Sequence, residues 1–191
     1  MADVSPEQWY YEYVKRLAES GVIGGYPDGT FQPNKEVSRA EFLKMILAIY
    51  ARKTDAFNKY HEPVEPSYTD VPEEHWAYRY VEFAREKELA TGSGGKFSPD
   101  KPILRAEAAK MLLNSGKLEG LNLKASCEQG AAKSAGDFVD VRDRTDAWFY
   151  VFVDEVSKKC IFKGYSDGSF HPERRLTRAE AAKILVVGLL E

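Results

Sequence analysis

Apolar residues recur along this chain with helical spacing in three pairs of segments. In the first member of each pair, one face carries Tyr10, Tyr13, Val14 and Leu17; Ala77, Tyr80, Val81 and Ala84; or Phe149, Phe152, Val153 and Val156. Ser5-Pro6-Glu7-Gln8 predicts an N-cap and first turn for the first of these helices, and Gly21 predicts its stop. The second member is more uniformly apolar, with Phe42, Met45, Ile46 and Ile49; Ala108, Met111 and Leu112; and Ala181, Ile184, Leu185 and Leu189. These three helices are expected to be largely buried. Ser38-x-x-Glu41 and Thr177-x-x-Glu180 predict capping boxes at two of them, while Leu104 replaces the capping hydroxyl at the third.

The pairs are copies of one unit. Phe31-x-Pro33, Phe97-x-Pro99 and Phe170-x-Pro172 are each followed, eight residues after the Phe, by Arg-Ala-Glu beginning at Arg39, Arg105 and Arg178. Upstream, Asp3-Val4, Asp70-Val71 and Asp140-Val141 precede Trp9, Trp76 and Trp148. Between the helices, copies one and three carry Gly24-Gly25-Tyr26-Pro27-Asp28-Gly29-Thr30-Phe31 and Gly164-Tyr165-Ser166-Asp167-Gly168-Ser169-Phe170, each with an Asp-Gly turn. Copy two has Thr91-Gly92-Ser93-Gly94-Gly95-Lys96-Phe97, and its Trp-to-Phe distance is 21 residues instead of 22. Long connections, from about 51 to 69 and from about 114 to 137, read as surface insertions or linkers. Two short helices cannot bury their apolar faces alone, so the expected fold is all-α: three helix-loop-helix repeats (1–66, 67–136 and 137–191) in a pseudo-threefold bundle with long connecting loops.

Composition narrows the function. The 27 basic and 30 acidic side chains leave a net charge of −3 with no basic run, which argues against nucleic acid as a partner. No apolar stretch approaches the roughly 18 residues of a membrane span. Cys127 and Cys160 form no metal-ligand motif with the scattered His61, His75 and His171, so no metal or other cofactor is expected. The two thiols can pair as a disulfide or stand free. Each Asp-Gly turn lacks the alternating oxygen ligands of a calcium loop. The recurring carboxylates stand in caps and turns, and no Ser/His/Asp or Cys/His arrangement is visible, so the chain is not expected to be an enzyme.

The order acidic-Val, Trp, helix, Gly-Tyr-Pro-Asp-Gly-Thr-Phe, Pro, Ser/Thr-Arg-Ala-Glu and apolar helix resembles the S-layer homology family over nearly the whole chain. The resemblance implies non-covalent anchoring of a surface protein to the bacterial cell wall, outside the cell. The implied partner is an anionic, pyruvylated secondary cell-wall polysaccharide bound in grooves between repeats, with neighbouring surface-layer domains as further partners. It also implies that Arg39, Arg105 and Arg178 belong to the grooves, together with Gly24, Gly25 and Asp28 and with Gly164 and Asp167. The divergent loop from Gly92 to Gly95 puts a groove in copy two in question. Copies two and three have Tyr68 and Phe138 two residues before Asp-Val where copy one has Met1, which reads as a fragment of a longer surface protein.

Each residue also has an ordinary structural reading. The arginines, beside helix N-termini with free N–H groups, suit a pyruvate carboxylate, and they equally suit pairing with a nearby Asp or Glu. Arg105 persists although Leu104 has lost the cap oxygen, which gives the arginine a task apart from capping. Lys44, Lys110 and Lys183 are expected to pair with the glutamate three residues earlier; the alternative for each is a second cation at the groove, with Lys44 the candidate site residue. The tryptophans begin apolar stripes and are expected in the core, leaving Tyr26 and Tyr165 as the better sugar contacts. The rival function is a protein-protein assembly module of a surface layer.

Overall fold

A computed structural model describes residues 1–124, 127 and 132–190. It contains six α-helices, α1 (Tyr11–Glu19), α2 (Arg39–Lys53), α3 (Tyr78–Glu86), α4 (Arg105–Ser115), α5 (Tyr150–Lys158) and α6 (Arg178–Leu185), the last running into a π-helical turn, Val186–Leu190. Among the described residues there is no strand, only isolated bridges. The architecture is the expected all-α arrangement of three repeats.

The helices pack between repeats. The second helix of each copy lies against the first helix of the next: α2 on α3, α4 on α5, and α6 back on α1. This closes the chain into a ring. At its centre, Val37, Ile103 and Leu176, all fully buried, exchange main-chain hydrogen bonds in a cycle: Val37 N–H to Leu176 C=O (2.9 Å), Leu176 N–H to Ile103 C=O (3.0 Å), and Ile103 N–H to Val37 C=O (2.9 Å). The core around this axis includes Phe42, Ile46, Ile49, Ala108, Leu112, Ala181 and Leu185, so the more apolar helices are the buried ones, as their composition predicts.

The first turn of each second helix is satisfied by a neighbouring repeat. Arg39 and Ala40 N–H donate to Lys101 and Pro99 C=O, Arg105 and Ala106 N–H to Arg174 and Pro172 C=O, and Arg178 and Ala179 N–H to Lys35 and Pro33 C=O, all at 2.9–3.0 Å. Ser38 and Thr177 complete the expected capping boxes by accepting from Glu41 and Glu180 N–H. The helix N-termini are therefore not free anion sites. The proline of each Phe-x-Pro is the element that caps its neighbour's helix.

Each Asp-Val carries the clamp that holds Phe-x-Pro in place. Asp3 accepts from Phe31 and Gln32 N–H (2.6 and 2.7 Å), Asp70 from Phe97 and Ser98 N–H (both 2.8 Å), and Asp140 from Phe170 and His171 N–H (both 2.8 Å). The second residue of each pair is left-handed, with φ 57°, 59° and 54°. A two-pronged carboxylate offsets that unfavourable backbone.

The ends of α1 divide. Gly21 (φ 69°) stops it as expected, in a Schellman arrangement with Val22 N–H on Leu17 C=O, and Glu88 and Cys160 take the same left-handed conformation after α3 and α5. Its start lies later than the Ser5-Pro6 pattern suggests. The Ser5 hydroxyl bonds the Glu7 carboxylate instead of the backbone, residues 5–8 make a turn, and the helix opens at Tyr11 without a side-chain cap.

The first long connection is not a loose linker. It docks on α3 through buried Phe57 against Phe83, Arg79 on the Phe57 and Asn58 carbonyls and Glu62, and Ser67 on Glu82. Of the second connection, residues 125, 126 and 128–131 lie outside the described residues; Cys127 is joined to Cys160 by a disulfide across 33 positions. Reducing it is expected to lower unfolding free energy by about 3–4 kcal/mol through the loop released in the unfolded chain, measured by denaturant titration with and without reductant.

Acid should open the Asp clamps. Burial opposes ionisation of Asp3 and Asp70, but the amides they accept from outweigh it and hold both carboxyls below the usual 3.8. A depressed folded value means the stabilisation is complete above the unfolded value and is lost as pH falls through the folded one. Thermal unfolding should therefore show stability declining below about pH 4. Asp70→Asn, which leaves one amide without a carboxylate oxygen, should cost about 1–3 kcal/mol at neutral pH.

Candidate functional site

The ring leaves three grooves, each assembled from all three repeats. One takes Arg178 from α6, the loop Val22 to Tyr26, Glu41, Lys44 and Met45 from α2, and Trp76 ahead of α3, with a volume of about 370 Å³. The second takes Arg39, Leu89 to Thr91, Glu107, Lys110, Met111 and Trp148 (about 190 Å³), and the third takes Arg105, Ile161 to Tyr165, Glu180, Lys183, Ile184 and Trp9 (about 200 Å³). The same four parts recur: an arginine from one copy, a loop and a Glu/Lys helix face from the next, and a tryptophan from the third.

The arginines are buried and stitch the ring. Arg178 donates from Nε to Phe31 C=O (2.7 Å) and from Nη2 to Gly24 C=O (3.1 Å); Arg105 donates to Phe170 (2.9 Å) and Lys163 (3.1 Å) C=O; Arg39 donates to Phe97 and Thr91 C=O (both 3.1 Å). Each guanidinium also lies over the Phe ring of the loop it holds, at 4.5–4.9 Å. This structural task holds whatever the groove binds. It explains why Arg105 persists beside Leu104.

The remaining nitrogen, Nη1, differs among the three. That of Arg39 is paired with the Glu107 carboxylate at 3.3 Å. For Arg105 and Arg178, no acceptor meets Nη1 among the described residues, so this nitrogen is left for the groove.

The tryptophans are not core residues: Trp9, Trp76 and Trp148 are 56%, 49% and 52% exposed. Each stands just before its helix, and its ring meets the lysine of the preceding second helix. Lys183 lies 5.6 Å from the Trp9 ring, and Lys44 and Lys110 lie 5.8 Å from those of Trp76 and Trp148. These lysines therefore line the grooves instead of making the expected Glu pairs, because the glutamates turn back onto their own helix starts. Sequence reasoning placed Lys44 here and held Lys110 and Lys183 as alternative groove cations, but favoured the core for the tryptophans; their common recurrence with Arg-Ala-Glu was the available signal.

Gly24, Gly25 and Tyr26 come together with Arg178 and Lys44, and Gly164 and Tyr165 with Arg105. Gly25 and Gly164 serve close packing, while a Cβ on Gly24 would meet nothing within 4 Å. A Cβ on Gly25 would meet Thr30 O at 2.8 Å, and one on Gly164 would meet the Phe138 ring at 2.4 Å. Asp28 and Asp167 are not among the side chains that line these grooves: each accepts from the backbone N–H and hydroxyl two residues on, Thr30 or Ser169, closing its own turn.

The Arg105 groove is the most cationic. Burial lowers the Lys183 pKa, and Lys163 and Arg105 lower it further; burial likewise pulls down that of Arg105. Glu180 is held to Arg174 (2.6 Å) and the Tyr165 hydroxyl (3.0 Å); burial favours its neutral form, but the Thr177 amide and Arg174 keep its pKa below the usual value. Crowded cations around an unclaimed guanidinium nitrogen suit a carboxylate ligand.

Among the described residues, no helix is long and apolar enough to cross a membrane. The S-layer homology domain profile matches residues 1–43, 67–109 and 137–182. The chain is 28% identical over 170 residues to Cell surface glycoprotein 1 of Acetivibrio thermocellus, covering 85% of this chain and 7% of that protein. It is also 28% identical over 169 residues to the Cellulosome-anchoring protein of the same organism (85% and 34%), and 39% identical over 94 residues to the Surface-layer 125 kDa protein of Lysinibacillus sphaericus (49% and 7%). It thus spans about a third or less of these relatives. Family and relatives support association with the cell surface. Since the profile covers more than half of the chain and recurs once in each of the three structural repeats, this chain belongs to the S-layer homology domain family.

Proposed function

We propose that the chain anchors a surface protein to the bacterial cell wall by binding a pyruvylated secondary cell-wall polysaccharide in the grooves between repeats. The observation that carries this reading is the unclaimed Nη1 of a buried arginine, beside a lysine and an exposed tryptophan. A pyruvate ketal offers a carboxylate to the guanidinium and the lysine, and a sugar offers an apolar face to the indole. Glu41, Glu107 and Glu180 accept at their helix starts, which supports a binding module over an enzyme. The rival reading, assembly with other surface-layer proteins, predicts that free polysaccharide does not compete for wall binding.

Calorimetric titration with purified pyruvylated wall polysaccharide tests the proposal; removing the pyruvate should abolish binding. Arginine-to-alanine variants would confuse ligand loss with loss of the ring, so the informative substitutions are Lys44→Ala and Trp76→Ala. Each should weaken the Arg178 groove about tenfold, or ~1.4 kcal/mol, with the melting temperature nearly unchanged.

Binding should also depend on alkaline pH. Lys183 has a pKa below its usual 10.5, so it loses its charge earlier than an ordinary lysine as pH rises. Affinity of the Arg105 groove should then begin to fall before pH reaches the usual lysine value of 10.5, and Lys183→Ala should abolish that decline, measured by titration across an alkaline pH series.

A further inference from the structure

The three grooves share a plan but differ in what the arginine Nη1 is paired with. In the Arg39 groove, Glu107 Oε1 sits 3.3 Å from Nη1, with Lys101 at 3.8 Å on its other side. In the Arg105 groove, the corresponding Glu180 is drawn off by Arg174 and by the Tyr165 hydroxyl. Ser93 stands in the tyrosine's place in copy two, identified by the same backbone bond: Ser93 N–H to Lys96 C=O matches Tyr26 N–H to Thr30 C=O and Tyr165 N–H to Ser169 C=O. Serine is too short to reach the glutamate, and Lys101 replaces Arg174. Nothing therefore competes with Arg39 for Glu107 as strongly as Arg174 and Tyr165 compete for Glu180.

The Arg178 groove is the opposite extreme. Its Nη1 has no partner among the described residues, and the Tyr26 hydroxyl is buried there without a hydrogen bond. The buried, unpaired Tyr26 hydroxyl is a standing cost that a carboxylate or sugar oxygen removes, and the open Nη1 beside it adds a charged donor for the same oxygen.

We propose that Glu107 is an internal stopper that occupies the carboxylate position of the Arg39 groove, leaving the Arg178 and Arg105 grooves as the chain's two acid-sugar sites. This rests on the proposed function and specifies which grooves perform it. The divergence of copy two is then a change of ligand selectivity: a ligand entering the Arg39 groove must displace a partly buried ion pair, which favours a neutral sugar or none.

Each groove has its own tryptophan, and the chain has three in all, so three indole N–H resonances report separately. The full chain is titrated with a methyl hexopyranoside carrying a 4,6-linked pyruvate ketal, and the resonances are assigned with Trp→Phe variants. In the unsubstituted chain, Trp76 and Trp9 should shift saturably while Trp148 stays silent or responds at least tenfold more weakly. Glu107→Gln keeps an acceptor for the Leu104 N–H and frees Arg39; Trp148 should then respond within tenfold of the other two. A Trp148 response equal to theirs before substitution would overturn the stopper, a result that needs no variant to fold. So would a silent Trp148 in a folded Glu107→Gln chain in which Trp76 and Trp9 still respond. If no tryptophan responds in either protein, the pyruvate reading itself fails, and the stopper falls with it.

Discussion

The structure depends on one constraint: the first amides of α2, α4 and α6 are buried and need acceptors their own helices cannot provide. Each set finds them in the Phe-x-Pro segment of another repeat, and the cycle of Val37, Ile103 and Leu176 closes the same exchange at the axis. No copy can complete its own second helix. In the closed ring of three, every donor and acceptor of this kind meets a partner.

The arginine of Arg-Ala-Glu extends that exchange to the surface. Nε and Nη2 fasten the neighbouring loop, and the planar guanidinium then presents Nη1 at a fixed place beside that loop. The residue that holds the ring together is therefore also the one that aims a cation into each groove. A lysine, with a single nitrogen, could not do both. The lysine and tryptophan around it come from other copies, so the groove exists only after the ring has closed.

Local departures from the repeat have traceable effects. The shortened loop of copy two puts Ser93 where the other copies have tyrosine, and Glu107 turns to Arg39. Cys160 occupies the left-handed residue after α5, immediately before the wall of the Arg105 groove, and ties the second insertion to it. The first insertion is held by Arg79, Glu82 and an aromatic cluster at Phe83, so it behaves as part of the α3 layer.

Periodicity and self-similarity determined the six helices, their apolar faces and the three copies, because these depend on local spacing that each repeat carries in its own residues; the family came from the resemblance of the motif residues. The arginines and loop glycines were legible as groove candidates through the family resemblance, and Tyr26 and Tyr165 by their place on the loops. What only the tertiary structure decided is which repeat each side chain serves. It moved Trp9, Trp76 and Trp148 from the expected core to the groove rims, turned Lys44, Lys110 and Lys183 toward them, and returned Asp28 and Asp167 to their own turns. It also showed that the helix N-termini are already occupied. The physical reason is that every one of these partners, apart from the two Asp turns, lies in another copy, and the pattern within one repeat carries no record of which neighbour will stand across from it.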